Sequence, residues 1–136
     1  MVWDPRIPEA LHGTTDDSFT LNVDLAPTIL GAANLTPPEV MQGRDISDLY
    51  LKDEANWRQD FFYEYPSIFG KRKIPGSTAV VQKGIKYIEW PQWGMQQLFN
   101  LTNDPMEEQD EIKNPAYQEI LSELKIRHEE LKQSVL

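Results

Sequence analysis

The tightest constraint on this 136-residue chain lies near its end. Asn114-Pro115 opens a stretch in which Tyr117, Leu121, Leu124, Leu131 and Val135 recur at helical spacing, with Ile120 beside them. An asparagine there accepts an amide hydrogen that the start of a helix leaves unpaired. A proline in the first turn has no amide hydrogen to lose, and its φ is already near the helical value. The recurrence lays one apolar stripe along the helix, and one stripe has to be buried against one layer. Hiding side chains of this kind is worth roughly 1.5–3 kcal/mol each before chain entropy is subtracted. The preceding sequence must therefore supply a matching apolar surface.

Upstream the period changes to two. Phe61–Tyr65, Thr78–Gln82 and Ile85–Trp90 read as strands, and Met95–Leu101 as a fourth, stopped by Asn103-Asp104-Pro105. Lys83-Gly84 reads as a two-residue hairpin turn, the glycine supplying the positive φ such turns demand. The expected fold class is α+β: about four antiparallel strands packed against a long C-terminal helix. Ahead of the sheet, residues 4–22 show no periodicity. A helix follows in which Asp24 caps the first turn, Pro27 falls early, and Leu25, Ile29, Leu30 and Ala33 form an apolar face. Asn34 and Pro37-Pro38 end it. Residues 45–51 read as a short helix or turn and 53–58 as a polar link. Met1-Val-Trp running into Asp4-Pro5 looks like the end of a buried strand whose neighbours are missing.

The formal net charge is -9, from 22 Asp and Glu against 13 Lys and Arg. That balance argues against bulk binding to nucleic acid or to an anionic membrane surface, both of which need a basic footprint. No apolar run is long enough to span a bilayer, and the opening residues lack the basic region and apolar run of a secretion signal. Without cysteine there is no disulfide, thiolate metal site or thiol nucleophile. No nucleophile elbow, phosphate loop, dinucleotide fingerprint or paired-histidine zinc motif occurs. Of the two histidines, His12 sits in a loop and His128 lies on the helical stripe, where a partly buried residue at the helix edge is expected. Glu107, Glu108, Asp110 and Glu111 form an acidic run, read as a solvated surface with an ion site as the rival. Asn34-Leu-Thr36 and Asn100-Leu-Thr102 match the glycosylation sequon.

Local charge is more informative than the total. Residues 66–86 carry Lys71, Arg72, Lys73, Lys83 and Lys86 and no acid, so this segment is +5 while the rest sums to -14. Lys71-Arg72-Lys73, framed by Gly70 and Pro75-Gly76, is positioned to present a positive field to an anionic ligand. A solubilising exposed loop is the alternative.

Several segments in order carry a resemblance. Val23-Asp-Leu-Ala-Pro-Thr-Ile-Leu, Met41-Gln-Gly-Arg, Trp57-Arg, Phe62-Tyr-Glu-Tyr, Ile85-Lys-Tyr-Ile and Leu98-Phe-Asn-Leu-Thr-Asn-Asp-Pro together resemble the C-terminal third of the sulfatases, of the alkaline-phosphatase-like superfamily. The resemblance implies a four-stranded antiparallel sheet with a long terminal helix over residues 45–136. It implies that residues 1–44 are a strand and helix remnant closing a larger α/β domain. It also implies that the intact parent is a sulfuric ester hydrolase using calcium and a formylglycine made from a Cys/Ser-x-Pro-Ser-Arg motif. This chain has no cysteine and no such serine motif, so no catalytic or metal residue is carried over, and the chain is expected to be inactive alone. In the family the loop after the Phe-Tyr-Glu-Tyr strand often meets substrate, which implies a substrate-binding role for Lys71, Arg72 or Lys73. Many members have arginine where Val81 stands, so a charge contact is lost there. The implied partners are a missing N-terminal catalytic domain, a sulfated small molecule or glycan, and a homodimer formed through exposed apolar surface. The implied location is periplasmic or secreted. The rival readings are a free-standing protein interaction module and the C-terminal part of a related phosphodiesterase or phosphonate hydrolase.

Overall fold

The computed structural model describes residues 2–52, 55–67 and 74–135. The chain divides into two units, Met1–Arg58 and Gln59–Leu136, each held together differently.

In the first unit, 3-10 turns at Glu9–Leu11 and Asn22–Asp24 precede helix α1 (Leu25–Ala32) and the one-turn helix α2 (Asp48–Leu51). Residues 2–4 form no strand, and Trp3 is 85% exposed. A strand needs a neighbour to exchange hydrogen bonds with, and none of the described residues pairs with this segment. Asp24 stands at the N-cap position, but its carboxylate makes no bond to the amides of α1, contrary to the expectation from sequence. Both oxygens are taken elsewhere. They accept from the Leu21 amide at 2.7 Å, the Arg44 amide at 2.8 Å and Arg58 Nη2 at 2.7 Å, with Arg58 Nη1 closer still. A guanidinium fork matches a carboxylate better than single amides do, so the acid becomes the hub of the unit rather than a cap. Burial by itself would raise the Asp24 pKa. The Arg58 bonds and the two amides outweigh it and hold the carboxyl below its ordinary value.

Thr28 adds a second tie, its Oγ1 donating to the Asp24 carbonyl at 2.6 Å and accepting from the Ile46 amide at 2.9 Å. Gly43 lies so close to this hub that a Cβ there would sit 1.9 Å from the Val23 carbonyl oxygen, which only glycine avoids. The segment read as a polar link is instead packing. Trp57 is buried, its indole N–H donates to the Phe19 carbonyl at 2.7 Å, and the Arg58 guanidinium lies 5.1 Å from its ring centre. The apolar face expected on α1 does not meet a core in this chain: Leu25 is 56% and Ile29 68% exposed.

The second unit is the expected sheet and helix. Strands β1 (Asp60–Tyr65), β2 (Ser77–Gln82), β3 (Ile85–Trp90) and β4 (Met95–Asn100) form an antiparallel meander in that order. Gly84 takes φ 81° at the β2–β3 turn, as the hairpin requires. A 3-10 turn at Pro115–Tyr117, capped by Asn114 Oδ1 accepting from the Ala116 amide at 3.0 Å, leads into helix α3 (Gln118–Ser134). The register alternates the two sheet faces. Val80, Tyr87 and Leu98 meet Leu121 and Leu124 of α3, with Ile85, Ile112, Tyr117, Ile120 and Leu131 around them. Val135 falls after the helix ends and is exposed. Ala79, Ile88 and Phe99 form a second apolar cluster on the other face, bordered by Tyr63, Trp90 and Leu101.

His128 goes deeper than its position at the stripe's edge suggests, with 1% of its surface accessible. Its Nε2 is 2.9 Å from Thr78 Oγ1, and its ring packs edge-on to Tyr87. Desolvation lowers its pKa, aided by Lys132 and opposed by Glu89 and Glu129. The acidic run is structural in part. Asp110 Oδ1 accepts from the Leu98 amide at 3.0 Å while the Glu111 amide donates to the Leu98 carbonyl at 2.7 Å, so this loop covers the outer edge of β4. Asn100 is likewise engaged, with Nδ2 donating to the Tyr117 hydroxyl at 2.8 Å.

Candidate functional site

The site expected from sequence is the loop between β1 and β2. Lys71, Arg72 and Lys73 lie outside the described residues, but both ends of the loop are within them. The Gly76 amide donates to Ser67 Oγ at 3.1 Å and to Gln92 Oε1 at 3.3 Å, and the Gln92 amide nitrogen donates to Ser67 Oγ. Exit and return of the loop are thus tied together, and tied also to the β3–β4 turn.

The other two cations of the basic segment do not join this loop. Lys83 occupies the β2–β3 turn, at the opposite end of β2, and is exposed. Lys86 points its ammonium at Glu107, 2.9 and 2.8 Å from the two carboxylate oxygens, and lies 5.8 Å from the centre of the Tyr63 ring. Desolvation would lower the Lys86 pKa, but Glu107 and Tyr63 more than offset it and the net shift is upward. Its charge is spent inside the fold. Lys83 and Lys86, one at the β2–β3 turn and the other paired with Glu107, are thus separated from the ends of the β1–β2 loop by the length of β2. Val81 is buried in the sheet.

Near the tied loop ends the sheet presents a cluster that sequence reading passed over. Tyr65, Trp90, Met95 and Gln97 belong by register to the face opposite α3. The rings of Trp90 and Trp93 stack, centroids 5.6 Å apart and planes 22° apart, and Trp90 Nε1 donates to Gln97 Oε1 at 2.8 Å. Trp93 is 61% exposed and Tyr65 41%. The only hint in the sequence is Trp90-Pro-Gln-Trp93, two tryptophans bracketing a turn.

Other concave surface offers less. A shallow depression of about 400 Å³ is lined by Ile85, Ala116, Tyr117, Glu119, Ile120 and Glu123, with two carboxylates and no cation, so it does not suit an anion. Among the described residues no group of three or more His, Asp or Glu is placed to hold a metal ion.

Residues 4–134 match the family described as N-sulphoglucosamine sulphohydrolase, C-terminal, and the chain belongs to that family. An arylsulfatase of Clostridium perfringens is 30% identical over 125 residues, which cover 91% of this chain and 25% of that protein. A solved structure of a protein in complex with its substrate D-glucosamine-2-N,6-O-disulfate superposes with a TM-score of 0.83 at 22% identity, covering 90% of this chain and 26% of the other. The phosphonate monoester hydrolase of Agrobacterium radiobacter shares the fold with a TM-score of 0.67 at 19% identity, over 83% of this chain and 25% of that one. The chain thus spans about a quarter of the length of the relatives it matches.

Proposed function

We propose that this chain is the substrate rim of a sulfuric ester hydrolase, and that catalysis belongs to an N-terminal domain which this sequence does not contain. The observation that carries the reading is the family match over residues 4–134, in a chain that covers only 25% of the matched arylsulfatase. The chemistry agrees. Sulfate-ester cleavage needs a nucleophile aimed at sulfur and a cation to neutralise the sulfate oxygens. The formylglycine implied for the intact enzyme has no source here, because the chain has no cysteine and no Ser-x-Pro-Ser-Arg.

On this reading residues 1–44 close the large α/β domain and 45–136 form the C-terminal subdomain. Exposed Trp3, Leu25 and Ile29 support it, since an extended N-terminal segment and a helix face with apolar side chains turned outward suit burial against that domain. Lys71, Arg72 and Lys73 are the rim cations, meeting the sulfate or another anionic group of a small sulfated molecule or glycan. Their loop leaves the sheet from two ends fixed by Ser67, Gly76 and Gln92.

Two assays test the proposal. The purified chain incubated with 4-nitrophenyl sulfate and calcium gives no turnover, and measurable turnover overturns the division of labour. In the longer protein, Lys71→Ala/Arg72→Ala/Lys73→Ala raises KM for a sulfated sugar about tenfold, or about 1.4 kcal/mol, with little change in kcat. An unchanged KM removes the loop from the rim. A second reading, an interaction module that pairs with itself through the same exposed apolar side chains, predicts a concentration-dependent dimer in sizing chromatography. It also predicts that Ile29→Ser abolishes the dimer.

A further inference from the structure

We infer that the β3–β4 turn is a stacking site for a neutral sugar ring, with Trp93 as the platform. The inference deepens the rim reading, and rests on it only for the ring's being part of a sulfated substrate; the ring-binding surface itself is built from residues outside the basic loop. A lone exposed tryptophan would say little, because isolated surface apolar residues are ordinary. This one is held in place. One face of Trp93 is covered by Trp90, whose own indole N–H is fixed on Gln97, so the 61% of Trp93 that remains exposed lies on its opposite face and edges. A flat apolar surface is thereby presented at low conformational cost.

The surroundings select the ligand. Among the described residues, amides and hydroxyls stand at this turn and on the same sheet face. The Gln92 side chain is oriented by Ser67 and the Gly76 amide, the Gln97 amide nitrogen is directed by the bond its oxygen accepts, and Tyr65 lies on the same sheet face. A pyranose with equatorial hydroxyls has this complement: a flat C–H face that covers an aromatic ring, and a rim of hydroxyls that exchange hydrogen bonds with amides. A nucleobase would stack on the same ring, but single-stranded nucleic acid also needs cations along its backbone. The chain carries a net charge of -9, which opposes so long a polyanion. A folded protein partner needs on the order of 1,000 Å² or more of total buried surface, beyond what a turn with two rings provides.

The test is saturation-transfer NMR on the whole chain with unsulfated chitotriose and cellotriose, with decaproline as the competing aromatic-groove ligand. The expected result is transfer to the ring C–H protons of at least one saccharide at low-millimolar affinity, weakened about tenfold or more by Trp93→Ala and largely retained by Trp93→Phe. Unchanged sheet amide shifts in both variants confirm that the fold persists. Lys71→Gln/Arg72→Gln/Lys73→Gln leaves neutral-sugar binding unaltered while weakening binding of D-glucosamine-2-N,6-O-disulfate. No transfer to either neutral saccharide, transfer that Trp93→Ala does not reduce, or binding of decaproline alone overturns the inference. Loss of the sulfated ligand in the triple variant together with absent neutral-sugar binding leaves the rim reading standing and removes only this one. Neutral binding with no effect of the triple variant on the sulfated ligand does the reverse.

Discussion

The two units of this chain reach order by opposite means. The second, from Gln59 onward, has an apolar interior: Val80, Tyr87, Leu98, Leu121 and Leu124 close around one another between sheet and helix. The first is organised by polar atoms. Asp24, fully buried, gathers Leu21, Arg44 and Arg58 around it, and several of the unit's large apolar side chains face outward. The difference teaches what each was selected against. A hydrophobic core carries its own driving force, whereas a buried ion pair roughly balances desolvation against attraction and mainly fixes geometry. The second unit carries its own apolar interior, whereas the first holds its shape through a polar hub and, on the proposed reading, would be covered by the larger domain.

Breaking the hub tests that contrast most severely. Arg58→Ala leaves the Asp24 carboxylate buried without its cation and is expected to cost about 3–5 kcal/mol. Amide exchange should show protection collapsing over residues 2–58 and persisting in the sheet; equal loss in both units would erase the distinction. Leu124→Ala acts on the other side of the comparison. It opens a cavity beneath α3 at an expected cost of about 2–5 kcal/mol, read as a lower denaturation midpoint of the sheet–helix unit.

Thr78→Val, which removes the hydroxyl facing His128 but keeps the volume, should cost about 1–3 kcal/mol in the same unit. Acid separates the units by sign and range. Desolvation depresses the His128 pKa, so the unfolded chain binds its proton first, and the second unit weakens as pH falls below about 6.5. The Asp24 pKa is depressed too, so its contribution is whole above about 3.9 and disappears only as pH drops through its lower folded value. Thermal unfolding followed residue by residue at pH 8, 5.5 and 3 should therefore show the sheet softening before the hub. The smallest effect is expected from Ile29→Ser, within about 0.5 kcal/mol in this chain because the side chain is already solvated. The same substitution in the longer protein should cost more, and an equal cost in both would count against a covered face.

Much of the second unit was legible because its signals are local. Alternation and the Lys83-Gly84 turn locate β3 to the residue, and Asn114-Pro115 marks where the helical stripe begins. The first unit was harder for a physical reason. Asp24 and Arg58 are 34 positions apart, and a polar pair leaves no period in the sequence to betray it, so the acid read as a cap and Trp57-Arg58 as part of a link. Periodicity likewise shows that α1 has an apolar face but not what lies against it. At the candidate site, charge spacing marked out a basic loop, yet strand direction sends Lys83 to the far end of β2 and Glu107 claims Lys86. The stacked tryptophans were missed because their meaning depends on two rings meeting across a turn.

The acidic loop that clasps Leu98 has a consequence for how copies of this molecule can meet. With both main-chain groups of residue 98 already engaged, a neighbouring molecule finds no free rung at the midpoint of that margin on which to extend the sheet. Association through this margin is then steered toward side-chain contacts, which added salt or mild detergent can tune and reverse, and away from strand-by-strand growth on β4.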